Sequence, residues 1–194
     1  SNITKIVVSE GITHIGQFAF HCLSGYFDVQ LPSTLKTIGS YAFIGCKELY
    51  SISIPNSVES IGSAAFESCS NLASVDLGSG VTSIGSAAFY GCSSLTSISI
   101  PNSVESIGKY AFYSCTTLSS VVLPDSLEII SQYCFQYCRN LKSISIPDGV
   151  TTIGNCAFYG TGLKSITIPK NVSTIENQAF YQCSSLATVK MENG

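Results

Sequence analysis

The sequence predicts a repeat solenoid in which each coil of 23 residues contributes one short parallel strand and one short helical turn. Two observations carry this. Phenylalanine recurs at Phe20, Phe43, Phe66, Phe89, Phe112, Phe135 and Phe158 in steps of 23, then at Phe180 after a step of 22. In the same register Ile15, Ile38, Ile61, Ile84, Ile107, Ile130, Ile153 and Ile175 stand five residues before each Phe. A leucine row, Leu49, Leu72, Leu95, Leu118, Leu141, Leu163 and Leu186, follows it. About eight coils therefore fill residues 1–194 as a single domain.

Each element of the coil has its own cause. Segments such as Leu72-x-x-Val75-x-Leu77 alternate apolar and polar residues, the pattern of a strand with one buried face. Pro32, Pro55, Pro101, Pro124, Pro147 and Pro169 end these strands, because proline cannot donate to a ladder. Gly16, Gly39, Gly62, Gly85, Gly108 and Gly154 are expected to mark a second bend with unusual backbone angles, with Ser131 and Glu176 as substitutes. From there to the cysteine, a stretch such as 86–92 has apolar residues at spacings that suit one or two helical turns, too short to stand alone. A lone coil leaves two flat apolar sides uncovered, so stability must come from stacking neighbours. Nine strand segments from Ile3 to near Met191, stacked at about 4.8 Å, make a rod or arc roughly 40 Å long.

The unbroken motif Leu95-x-x-Ile98-x-Ile100-Pro101-x-x-Val104-x-x-Ile107-Gly108-x-x-Ala111-Phe112-x-x-Cys115 resembles the BspA-like leucine-rich-repeat family of bacterial and protist surface proteins. The resemblance covers essentially the whole chain. It implies a right-handed leucine-rich-repeat superhelix and a cell-surface or secreted protein that attaches to host or matrix proteins and to other cells; it implies no catalytic residue. Two places depart from the pattern. The segment 21–27 replaces the regular turn of the second coil, and Tyr159-Gly160-Thr161-Gly162-Leu163 is one residue short and lacks its cysteine. Local shape should differ at both.

Composition narrows the function. Only 11% of residues are charged and the net charge is −3, so the chain has no basic footprint for nucleic acid. No apolar run approaches the length of a membrane span, and the opening SNITKIVVSEG lacks the features of a signal peptide, which suggests a processed piece or one cut from a longer array. Cys46, Cys69, Cys92, Cys115, Cys138 and Cys183 occupy one repeat position and should form an inward row of free thiols, with disulfides as the alternative. Cys134 replaces the core alanine, and Cys22 and Cys156 are the more exposed thiols expected to be reactive. Cys134 and Cys138 without nearby histidines fall short of a zinc site, and His14 and His21 are the chain's two histidines. No metal, cofactor or catalytic group is expected.

Two surfaces are candidate binding sites for a protein or glycan. The outward strand positions Val7, Gln30, Ser53, Asp76, Ser99, Val122, Ser145, Thr167 and Lys190 are mostly small and hydroxylated, with Phe27, Asp28, Tyr50 and Asp76 as the exceptions that could anchor a ligand. The second is a tyrosine stripe on the turn side. Tyr90, Tyr113, Tyr159 and Tyr181 follow the core Phe, while Tyr41, Tyr110 and Tyr133 sit two before it; Tyr90 and Tyr113 are its representatives, and the competing role is to cover the core edge. Two sequons, at Asn2 and Asn171, are consistent with secretion. The expected function is a non-enzymatic surface binding or adhesion module; a structural spacer carrying another domain is the alternative, and an enzyme a minor one. Terminal coils in plain repeat register predict end-to-end self-association.

Overall fold

The computed structural model describes residues 3–25 and 28–193. Most coils turn past two short strands instead of one. In chain order these are β1 (Lys5–Val7), β2 (His14–Ile15), β3 (Asp28–Gln30), β4 (Thr37–Ile38), β5 (Ser51–Ser53), β6 (Ser60–Ile61), β7 (Ser74–Asp76), β8 (Ser83–Ile84), β9 (Ser97–Ser99), β10 (Ser106–Ile107), β11 (Ser120–Val122), β12 (Ile129–Ile130), β13 (Thr152–Ile153), β14 (Ser165–Ile168), β15 (Thr174–Ile175) and β16 (Thr188–Met191). All pairs are parallel and join equivalent residues of successive coils, as in Ser51↔Ser74 and Ser60↔Ser83. The second row of strands comes from the two-residue segments ending in the Ile row, mostly Ser/Thr-Ile, a signal too short to show as a periodicity.

The two rows behave differently. On the second, β2, β4, β6, β8 and β10 form one continuous sheet and β12, β13 and β15 another. The first is broken into the pairs β1–β3, β5–β7, β9–β11 and β14–β16. Residues 143–146, where a ninth strand was expected, join no ladder.

The expected helical turn is absent, and among the described residues there is no helix at all. Tandem reverse turns take its place. In the coil of Phe43 the N–H groups of Ala42, Ile44 and Cys46 donate to the carbonyls of Gly39, Tyr41 and Phe43, three residues back, at 3.3, 3.2 and 3.1 Å. Tyr41 and Gly45 adopt left-handed φ angles of 59° and 70°, and the equivalent residues in the other coils do the same. These angles swing alternate N–H groups along the stack, so Tyr41, Phe43 and Gly45 donate to Ser63, Ala65 and Glu67 of the next coil at 2.8, 2.8 and 2.7 Å. A helix would keep its hydrogen bonds within one coil; the turns share them between coils, where each stacked layer must satisfy the next.

The glycine row also has a different cause from the one expected. Gly16, Gly39, Gly62, Gly85, Gly108 and Gly154 are not left-handed. Except at Gly16, where a Cβ would meet nothing within 4 Å, they are small because neighbouring coils nearly touch there: a Cβ on Gly62 would lie 2.5 Å from the Ser40 nitrogen, and one on Gly39 would lie 2.7 Å from the Ile15 carbonyl oxygen. Where the row departs from glycine, the side chain is used across the stack. Ser131 donates its hydroxyl to the Ile107 carbonyl, and the Glu176 carboxylate accepts the Asn155 N–H at 2.7 Å.

The core is a column of side-chain rows. Phe43, Phe66, Phe89, Phe112, Phe135 and Phe158 are fully buried. Their rings stack nearly parallel, with centroids 5.2 to 5.6 Å apart. Truncating one such ring to alanine removes contacts on both sides, a loss of about 3–5 kcal/mol in a packed interior. Beside the rings runs the expected row of free, buried thiols. In the short seventh coil Thr161 takes the place of cysteine; its hydroxyl donates to the Phe158 carbonyl at 2.9 Å and lies 3.2 Å from the Cys183 sulfur.

Candidate binding surface

The described residues expected to anchor a ligand on the strand face, Asp28, Tyr50 and Asp76, are exposed and stand on successive coils. Asp28 opens β3 opposite Lys5 of β1. Tyr50, just before β5, donates its phenol to Glu48 at 3.2 Å, while Asp76 at the end of β7 accepts the Ser53 hydroxyl at 3.2 Å. Tyr50 and Asp76 are thus each engaged by a neighbouring side chain. Phe27 lies outside the described residues. The rest of the face is the hydroxylated surface expected, with Val7 and Val122 as its exposed apolar members.

The turn side is more concentrated. Tyr90 stacks on Tyr113 with ring centroids 4.6 Å apart, and Tyr110 stacks on Tyr133 at 4.5 Å. Tyr110 also meets Tyr113 at 5.8 Å, and from Tyr113 the contacts continue through Tyr137 at 5.6 Å, Tyr159 at 5.4 Å and Tyr181 at 5.4 Å. The result is a continuous ribbon of aromatic rings across the C-terminal half. All but the exposed Tyr181 are half-buried, so each packs on its neighbours and still presents a face to solvent. Partial burial pushes the phenols of Tyr110, Tyr113 and Tyr159 upward, with adjacent phenols adding to the effect. They remain neutral hydrogen-bonding groups throughout the physiological range. The two stacked pairs, Tyr90–Tyr113 and Tyr110–Tyr133, are closer together than the core rings of the same coils, which stand 5.5 Å apart. Phe18 and Tyr41 form a smaller stack of the same kind in the first coils, at 4.8 Å.

The thiols divide differently from expectation. Cys22 is exposed, but Cys156 is buried at 5% exposure beneath the next coil, where it lies 3.5 Å from the Gln178 side-chain oxygen. Its position two before the core Phe is one that tyrosine occupies in other coils; a small side chain there sinks into the stack instead of reaching over it. His21, beside Cys22, packs its ring edge-on against Phe18 at 5.7 Å, and the His14 ring lies 2.7 Å from the Thr13 hydroxyl. Among the described residues no three His, Cys, Asp or Glu side chains are grouped so as to hold a metal ion. The side chain of Asn171, the acceptor of the second sequon, donates to the Asp148 carbonyl at 2.8 Å.

Among the described residues, two concavities lie near the irregular seventh coil. A shallow groove of about 610 Å³ covers the unpaired stretch 143–146 between β11 and β14, with Asp148 and Glu192 at its edge. A smaller notch of about 300 Å³ is lined by Tyr137, Arg139, Thr161, Gln182, Ser184 and Ser185. In the sequence, the one signal for this notch is the missing residue at Gly160–Gly162. The Arg139 guanidinium sits 5.9 Å from the Tyr137 ring centroid.

Comparison with known proteins agrees with this architecture. The chain superposes on a leucine-rich repeat protein from Bacteroides ovatus with a TM-score of 0.76 at 28% identity, covering 97% of this chain and 61% of that one. A leucine rich cell surface protein from Faecalibacterium prausnitzii gives 0.67 at 30% identity, covering 100% and 48%. The T. pallidum leucine rich repeat protein gives 0.74 at 27%, covering 96% and 79%. The chain therefore spans about half to three fifths of the length of the first two. No curated protein matches it. Residues 1–119 and 105–194 match the family described as BspA type leucine rich repeat region, so the whole described solenoid is repeat, and the chain belongs to that family.

Proposed function

We propose that the chain is a non-enzymatic binding or adhesion module, acting at a cell surface or outside the cell, that presents its solenoid surface to a protein or glycan. The observation that carries this is the tyrosine ribbon. Tyrosine supplies contact area with a polar tip and little side-chain entropy to lose, which is why it dominates interface energetics. Here the rings are already ordered by stacking on one another, so a partner meets a preorganised strip. The cell-surface description of the Faecalibacterium prausnitzii protein supports the proposed location.

The test is capture of the chain on immobilised matrix proteins and glycans. A partner that binds saturably should lose at least about tenfold in affinity when Tyr90 and Tyr113 are both replaced by alanine, since central aromatic anchors are worth above 1 kcal/mol each. No saturable binding, or binding unchanged in the double variant, overturns the proposal. The spacer reading draws on the plain hydroxylated strand face and predicts no saturable binding.

A further inference from the structure

We propose that the notch at the seventh coil is a binding site for an acidic sugar, whose carboxylate is held by Arg139 and whose hydroxyl groups are held by Gln182, Ser184 and Ser185. The proposal rests on reading the chain as a binding module and names a ligand class for one place on it.

The notch exists because one coil is short. In the regular coils two polar residues stand between the cysteine and the leucine, as in Ser93-Ser94 and Arg139-Asn140; in the seventh coil only Gly162 stands between Thr161 and Leu163. Both side-chain-free positions are demanded by packing. A Cβ on Gly160 would lie 2.9 Å from the Tyr137 ring, and one on Gly162 would run into the Arg139 carbonyl oxygen. The floor is therefore glycine backbone. One wall is Tyr137 and Arg139, and the other is Gln182, Ser184 and Ser185, two coils further on. Two coil spacings separate the walls by roughly 10 Å of backbone, which leaves room between the side chains for a single flat ring.

The lining selects the chemistry. None of its residues is acidic, so nothing in the notch repels an anion. Arg139 makes no ion pair; the pair found among the described residues is Lys36–Glu59. Its guanidinium is held instead against the Tyr137 ring, with its planar fork of donors uncommitted, and such a fork suits a carboxylate. Tyr137 is thus a positioning residue. It stands two after the core Phe, where other coils have Gly45, Ser68, Gly91 and Ser114, and it takes the same left-handed φ, 62°. A bulky side chain is uncommon in that conformation. The opposite wall offers an amide and two hydroxyls, all exposed, which can donate to and accept from a polyol at once.

The test is an amide NMR titration of the whole chain with sodium D-glucuronate, with methyl α-D-glucopyranoside and N-acetylglutamate as parallel probes. Glucuronate should saturably shift the amides of Gly160, Gly162 and Ser184. The uncharged glucoside should bind about tenfold more weakly, the scale of one charge-assisted hydrogen bond. Arg139→Gln, at an exposed side chain, should keep the dispersed spectrum and erase the preference for the acid, and Gln182→Ala should weaken both sugars. No saturable shift with glucuronate overturns the proposal. So does an equal response to N-acetylglutamate, which would mean that only the carboxylate is read, and so does unchanged binding in Arg139→Gln. The Tyr90→Ala, Tyr113→Ala double variant should still bind glucuronate, so failure of the ribbon reading and failure of this one give different results.

Discussion

The Cys92 thiol donates a hydrogen bond to the Phe66 carbonyl, 26 residues earlier and one coil away, at 3.2 Å. The same bond recurs from Cys69 to Phe43, Cys115 to Phe89, Cys138 to Phe112 and Cys183 to Phe158. Each thiol therefore ties its own coil to the carbonyl of the previous core ring, a use of the cysteine row beyond filling space.

These thiols give stability a defined dependence on pH. Burial pushes Cys46 up to about 11, and it holds Cys69, Cys92, Cys115, Cys134 and Cys138 well above the ordinary thiol range. Unfolded thiols ionise near 8.5. Below that value both states are protonated and the thiols leave stability unchanged. Above it the unfolded chain releases protons that the folded one retains, so stability falls by about 1.4 kcal/mol per pH unit for each such thiol, for Cys46 up to about 11. Urea unfolding under reducing conditions should show a clear drop in midpoint between pH 7 and pH 9.5, and Cys92→Ala should lessen it. An identical midpoint at the two values would contradict the buried row.

The same burial predicts selective labelling. Alkylation of the native chain at pH 8 should modify Cys22, the exposed thiol, and leave Cys156 and the row untouched. Mass spectrometry of tryptic peptides reads the result, and rapid modification of Cys156 would contradict its place beneath the next coil.

The glycine row supplies a paired test of packing. Gly62→Ala drives a Cβ into the backbone of the previous coil and should cost about 1–3 kcal/mol, the range for overpacking a filled interior. Gly16→Ala, at the same repeat position, meets nothing within 4 Å and should be neutral or slightly stabilising, by up to about 1 kcal/mol. Chemical denaturation distinguishes them. Equal effects would mean that local backbone preference, and not coil contact, selects glycine.

We propose that the chain self-associates through its end strands. β16 pairs with β14 alone, and its Val189 and Met191 are half exposed; β1 pairs with β3 alone, and its Val7 is exposed. Unpaired strand edges with apolar side chains are templates for another chain. Sedimentation velocity of the 194-residue chain should show a concentration-dependent shift that Met191→Lys diminishes. A strict monomer at high concentration would count against it.

The sequence by itself determined the period, the coil number and the inward rows of phenylalanine, isoleucine, leucine and cysteine, because stacking makes every coil meet an identical neighbour and so repeats the same side-chain demand at the same position. It also marked the short seventh coil as a place of altered shape. The tertiary structure decided what depends on the adjacent coil. The stretch before the cysteine looks helical in isolation, yet becomes left-handed turns because its N–H groups are satisfied across the stack. Gly62 looks like a bend residue, yet is set by the backbone of Ser40. Asp28, Tyr50 and Asp76 stand out as single letters, whereas Tyr137 and Arg139 share a notch with Gln182, which lies more than 40 residues later in the chain and two coils away. A repeat sequence records contacts that recur in every coil; the notch arises where one coil does not repeat, and its walls are drawn from different coils.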